Sequence, residues 1–112
     1  MAKYMVLYNS LVPAREQMAG ATAEQMAASM DEWMKWRDEA SQAFKVDFGM
    51  PLQAISRVTI NEVNDISSQV SGYAIVEGVS EDAVVDLILT HPHLKRPGTS
   101  IDVLEMVPMP GM

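Results

Sequence analysis

The sequence predicts an α+β domain in which two helical segments alternate with four strands. Two observations favour this class: short runs rich in β-branched and aromatic residues occur near both ends and in the middle of the chain, and two segments with helical apolar spacing separate them. The length of 112 residues corresponds to one domain, so we expect a single domain over residues 1 to 112. Hydrophobic residues at 48% and charged residues at 21% are typical of a globular protein.

The first half of the chain predicts a strand, a connection and a long helix. Residues 3 to 9 have strand composition, and residues 10 to 21 predict a connection with a short helical turn at 14 to 18. Thr22 and Gln25 have the spacing of a capping box. Apolar residues at steps of three, four or seven then predict a helix that runs to about residue 44: Met26, Met30, Trp33, Ala40 and Phe44.

The second half predicts three strands and a second helix. Gly49-Met-Pro51 predicts a break, residues 53 to 63 alternate as a strand, and residues 61 to 68 predict a turn or loop. Residues 72 to 77 predict the third strand. Ser80 predicts a helix start, and Pro92 predicts that this helix has ended, because the residue before a proline disfavours the α region. Residues 100 to 107 predict the last strand, and the Met- and Pro-rich tail at 108 to 112 cannot continue it.

This order, β-α-β-β-α-β, predicts a ferredoxin-like arrangement: a four-stranded antiparallel sheet with both helices on one face. The strands are nevertheless apolar on both sides, as Tyr4, Val6 and Tyr8 alternate with Met5 and Leu7. An uncovered face of this kind exposes more apolar surface than monomers tolerate. We therefore expect a homodimer, a dimeric α/β barrel in which a second copy covers that face. The alternative is a monomer whose loop at 61 to 71 and tail fold over it.

Composition excludes several partners. A net charge of −7 and a pI near 4.6 oppose binding to nucleic acid and to anionic membranes. The chain has no cysteine, and no apolar run approaches the roughly 20 residues of a membrane span. The first apolar run is also too short for a signal peptide, so we expect a cytoplasmic protein.

The sequence contains no glycine-rich phosphate loop, nucleophile elbow or dinucleotide fingerprint, and we expect no bound cofactor.

Four segments resemble the YCII-related domain family: the N-terminal Lys-Tyr-Met-Val-Leu-Tyr, residues 47 to 51, residues 72 to 77, and residues 91 to 105. The resemblance implies a dimeric α/β barrel and implies an activity only poorly, because most family members are uncharacterised. Known relatives include a dehydrochlorinase acting on a hydroxylated aromatic ring. Some members pair a histidine on the first helix with an aspartate before a proline that follows the second helix. Here the residue before that proline is His91, and the first helix offers Asp31 or Glu32. An Asp-Gly-Pro-Phe motif of another branch is absent, since residues 64 to 67 are Asn-Asp-Ile-Ser.

His91 and His93, the only histidines, are the candidate proton-transfer residues. We expect at least one to lie beside a carboxylate, first of all Asp31 and otherwise Glu105 or Asp102, which would raise the imidazole pKa toward neutrality. Alternatively, His91 only caps a helix end and His93 is a surface residue. As no third ligand lies close in sequence, we expect no metal site.

We expect a cavity between the helices and the sheet that opens near residues 91 to 98. Tyr8, Trp33 or Trp36 would form its aromatic wall; the alternative is that these residues are simply core.

Three functions stay open. The first is a cofactor-free isomerase, lyase or dehalogenase-like enzyme that acts on a small organic molecule. The second is a non-catalytic module that binds a small ligand. The third possibility is an accessory protein that works through an apolar surface rich in its ten methionines.

Overall fold

The computed structural model describes residues 2 to 111. In chain order the elements are β1 (Ala2–Ser10), α1 (Ala14–Gly20), α2 (Ala23–Ala40), β2 (Lys45–Pro51), β3 (Ser56–Val58), β4 (Val63–Asp65), β5 (Val70–Gly78), α3 (Glu81–Ile88), a 3₁₀ helix (Pro92–Lys95) and β6 (Thr99–Glu105). The predicted single domain and its tail include Met1 and Met112, which lie outside the described residues. In the described part of the chain, no helix is both long and apolar enough to cross a membrane.

Four strands form one antiparallel sheet in the order β2-β5-β1-β6, with β5 and β1 at its centre. The predicted α+β class with a four-stranded antiparallel sheet is therefore confirmed, and α1, α2 and α3 are its helices. The shorter strands β3 and β4 pair only with each other, as a separate hairpin.

The core lies on one face of the sheet. Alternate residues of β1 and β5 point toward the C-terminal half of α2 and toward α3, and they are buried because both helices cover them: Tyr4, Val6, Tyr8, Ala74 and Val76 against Trp36, Ala40, Val84 and Ile88. The residues between them face the other way. Met5, Leu7 and Ile75 are only partly buried, and Leu104 on β6 is 46% exposed.

Helix α2 begins as predicted and ends earlier than predicted. Thr22 and Gln25 form the full capping box. The helix ends at Ala40, because the chain must reverse within four residues to enter β2 at Lys45. Its N-terminal half is largely exposed, and Met26 and Met30 do not join the core.

The second strand of the sheet was predicted at the wrong place. It comprises Lys45–Pro51, and the segment 53 to 63 forms no part of the main sheet. Gly49 lies inside this strand, since its missing side chain leaves room for the ring of Tyr73. Pro51 is the last residue of an edge strand, where its lack of an N–H costs little.

Residues 52 to 69, which include β3 and β4, form an exposed arm between β2 and β5. Every residue of the two short strands is exposed, and Ile60 at the tip is 99% exposed. The predicted turn at 61 to 68 thus contains one strand of this arm.

The remaining elements lie close to their predicted positions. The side chain of Ser80 caps α3 by accepting a hydrogen bond from the Ala83 N–H. The last strand ends at Glu105, two residues before its predicted end.

Candidate functional site

His91 is placed by the end of α3 and the proline that follows. The helix stops at Ile88, and His91 has extended backbone angles, as a residue before proline should. Pro92 then opens the 3₁₀ helix, and the His91 side chain turns back into the core, where the residue is only 2% exposed. His91 therefore caps the start of the following helix and not the end of α3.

Both ring nitrogens of His91 have partners. Its Nδ1 accepts a hydrogen bond from the backbone N–H of His93 at 3.0 Å, and its Nε2 lies 3.0 Å from the hydroxyl of Tyr8. A backbone N–H can only donate, so Nδ1 carries no proton. The neutral ring then has its proton on Nε2 and donates it to the Tyr8 oxygen.

Aromatic rings enclose this imidazole. Ring centroids of Trp36, Trp33 and Tyr8 lie 4.2, 4.6 and 5.0 Å from that of His91. Burial, with a smaller contribution from His93, lowers the pKa of His91 to about 3. Burial also raises the pKa of Tyr8 well above its usual value. At neutral pH the pair is an uncharged imidazole and an uncharged phenol.

His93 is buried as well, contrary to the alternative that placed it on the surface. Its Nε2–H donates to the carbonyl oxygen of Asn9 at 2.9 Å. Burial lowers its pKa and the charge on Arg96 lowers it further, whereas hydrogen bonding to the backbone of Asn9 and Ser100 opposes the shift. Together the two histidines fix the 3₁₀ helix to the end of β1.

The expected histidine–carboxylate pair is absent within residues 2 to 111. Asp31 is exposed on α2, and Glu105 lies opposite Tyr4, four residues along β1 from Tyr8, or about 13 Å. Asp102 lies opposite Leu7, on the face away from the helices, and accepts a hydrogen bond from the Asn9 side chain at 3.0 Å. The prediction of a raised imidazole pKa is therefore wrong. Burial lowers the pKa of both His91 and His93, and no carboxylate lies beside either ring to oppose it.

The three predicted aromatic residues surround His91, in different roles. Tyr8 and Trp33 line a cleft between α2 and the sheet, with ring centroids 4.7 Å apart. Trp36 is buried behind them, and its indole N–H donates to the Thr90 hydroxyl at 2.9 Å. Phe48 of β2, which the sequence did not single out, completes the wall beside Trp33.

The cleft has a volume of about 1110 Å³ and is lined on one side by residues of α2. Methionines from both helices of this region and from β2 form much of its lining: Met18, Met26, Met30, Met34 and Met50. All five side chains are at least 36% exposed. The predicted apolar stripe of the long helix included two of them, Met26 and Met30, which line the cleft and do not join the core.

Polar residues span the mouth of the cleft. Lys95 lies 3.8 Å from Glu32, and the Arg96 guanidinium donates to the Ser29 hydroxyl at 3.4 Å. These contacts join α2 to the C-terminal end of the 3₁₀ helix. Both contacts are exposed, and exposed contacts of this kind contribute little to stability.

Within the described residues, no three histidine or acidic side chains come together as a metal site. No family model matches the chain, and no curated protein matches it by sequence. The resemblance to YCII-related proteins therefore stays a prediction from its motifs.

Proposed function

We propose that this protein binds a small, mostly apolar organic molecule in the cleft beneath α2. The observation that carries the proposal is the uncharged Tyr8–His91 pair at the base of a Met- and aromatic-lined cleft of about 1110 Å³. Sites for small molecules are typically concave, mostly apolar and equipped with a few fixed polar groups. The methionines suit such a site because their side chains adapt to different shapes.

Binding without chemistry fits this geometry better than histidine-based catalysis does. A general base needs a pKa near the working pH, and burial holds that of His91 at about 3. The carboxylates that line the cleft, Glu16 and Glu32, are both exposed.

A cofactor-free enzyme is the second candidate, and Tyr8 is the observation that favours it. A phenol that stays protonated can stabilise negative charge developing on a substrate oxygen. An isomerase or lyase built on this group would need a base from Glu16 or Glu32, brought inward by a movement of α1 or α2.

We further propose that the chain is a ferredoxin-like subunit of a homodimer, as the resemblance to YCII-related proteins also implies. The sheet order supports the subunit fold. The accessible surface is 7963 Å², where a compact monomer of 12.3 kDa would expose roughly 6,100 Å². The excess of about 1,900 Å² per chain lies in the range that obligate dimers bury. The arm and the open face of the sheet are the apolar surfaces that a second copy would cover.

Methyl NMR of protein labelled at its methionines tests the ligand proposal. A library of small aromatic and aliphatic compounds should shift the methyl signals of Met18, Met26, Met30, Met34 and Met50. Met5, Met106 and Met109 lie outside the cleft and serve as internal controls. Met30→Arg, which places a charge in the cleft, should abolish these shifts, whereas Met109→Arg should leave them. Compounds that shift only the control methyls, or none at all, would refute the proposal.

A further inference from the structure

We infer that the Tyr8 hydroxyl donates a hydrogen bond to a neutral carbonyl oxygen on the molecule that occupies the cleft, and that His91 is the positioning residue that turns the hydroxyl proton toward it. The inference rests on the proposed ligand-binding function. It adds a ligand class: a planar, apolar compound that carries a ketone or aldehyde oxygen.

The first step is the placement of the imidazole proton. The backbone N–H of His93 donates to His91 Nδ1 at 3.0 Å, and this donor cannot be removed or reversed. The ring is uncharged, so its single proton must lie on Nε2, 3.0 Å from the Tyr8 oxygen. His91 is therefore the donor of the His91–Tyr8 hydrogen bond.

The second step concerns the proton of the phenol. Because the Tyr8 oxygen accepts from His91, its own O–H points elsewhere. In the described part of the chain this hydroxyl has no second hydrogen-bond partner, although Tyr8 is 97% buried, being 3% exposed. A buried donor without an acceptor is unfavourable. Since Tyr8 lines the cleft, an acceptor within the cleft would complete its hydrogen bonding.

The surroundings select the kind of acceptor. The ring of Trp33 lies against Tyr8, the ring of Phe48 lies against Trp33, and both rings give the cleft apolar walls. The charged residues of the cleft lie at its mouth, where Lys95 and Glu32 already face each other. An anion at the base of the cleft would lose its hydration without gaining a nearby cation. A neutral carbonyl oxygen on a flat apolar body avoids this penalty.

A pair of probes of equal shape tests the inference: 2-acetylnaphthalene, and 2-isopropenylnaphthalene, in which a methylene group replaces the carbonyl oxygen. We expect wild-type protein to bind the ketone roughly twofold to tenfold more tightly, as one net hydrogen bond allows. Tyr8→Phe should bind both probes equally and retain its affinity for the hydrocarbon. Equal binding of both probes by wild-type protein would overturn the inference and leave the cleft function intact. Failure of both probes to shift the cleft methionines would overturn both.

Two variants of His91 separate positioning from mere structural support. In His91→Gln the amide nitrogen can replace Nε2 as a donor to Tyr8, whereas in His91→Asn only the acceptor for the His93 N–H is kept. We expect His91→Gln to keep the preference for the ketone and His91→Asn to lose it. Nitrogen-15 NMR of the wild-type imidazole gives an independent readout, in which His91 should show the proton on Nε2. A proton on Nδ1, or equal ketone preference in the two variants, would contradict the role of His91.

Discussion

Lowering the pH from 8 to 5 should destabilise this protein through His91. In the folded chain its pKa is held at about 3 by burial, whereas an unfolded chain gives histidine its ordinary value of 6.5. Between these values the unfolded state binds a proton that the folded state cannot, so stability falls as the pH falls. His93, whose pKa is also lowered, acts in the same direction.

The size of the effect depends little on the folded pKa, provided that it lies well below 5. Protonation of one unfolded histidine with pKa 6.5 stabilises the unfolded state at pH 5, relative to pH 8, by about 2 kcal/mol. The difference between the unfolded pKa of 6.5 and the folded pKa of about 3 limits the loss of stability from His91 to roughly 5 kcal/mol, and this limit is approached only near pH 3. His93 adds to the loss at pH 5.

Urea unfolding at pH 8 and at pH 5 measures this loss, at one protein concentration because association changes apparent stability. We expect His91→Asn to be less stable at both pH values and to lose about 2 kcal/mol less than wild type between them. His93→Asn is the matched control, and it keeps the contribution of His91. Equal losses in wild type and His91→Asn, or an NMR titration of His91 near 6.5, would show that the imidazole is not held neutral.

Three further substitutions test the fold and the dimer. Thr22→Ala removes the cap of a helix whose first half lacks packing, and should cost about 1 kcal/mol in urea unfolding, with faster hydrogen exchange in the first two turns of α2. Gly78→Ala places a Cβ 2.8 Å from a valine methyl of α3 and should cost about 1 to 3 kcal/mol, whereas Gly20→Ala, with nothing within 4 Å, should cost nothing. Ile60→Ser should weaken the dimer in sedimentation experiments, and Val79→Ser, at an exposed position outside the arm, should not; a wild-type monomer at micromolar concentration would refute the dimer itself.

Local signals were enough to predict most of the fold. The capping box at Thr22, the cap at Ser80 and the proline after His91 each act within a few residues, so their effects are readable from sequence. The position of the second strand was not readable in this way. Whether Gly49 breaks a strand or admits a neighbouring ring depends on Tyr73, which lies 24 residues later and comes close only in the finished sheet.

The two histidines and the three aromatic residues that the sequence singled out lie together, whereas the predicted carboxylates Asp31 and Glu105 lie elsewhere. This region was predicted from the order of the elements, since both histidines lie in the short connection between the second helix and the last strand, and Tyr8 and Trp33 do lie beside His91. The partners of each ring nitrogen depend on the depth of burial and on backbone direction, which spacing alone does not give. A carboxylate was therefore expected where a backbone N–H and a phenol are found.

The cleft combines one rigid part with one adaptable part, and this combination bears on selectivity. Tyr8 stands on a central strand, and His91 is fixed through the backbone of His93, so the position of the hydroxyl is set by the most buried part of the molecule. The opposite wall includes the exposed methionines of α2, and two exposed polar contacts join this helix to the other side of the mouth. A ligand would then be recognised closely at one oxygen atom and loosely over its apolar body. On the proposed function, compounds that share the carbonyl oxygen should bind across a range of ring sizes, whereas loss of that oxygen should weaken each of them by a similar factor.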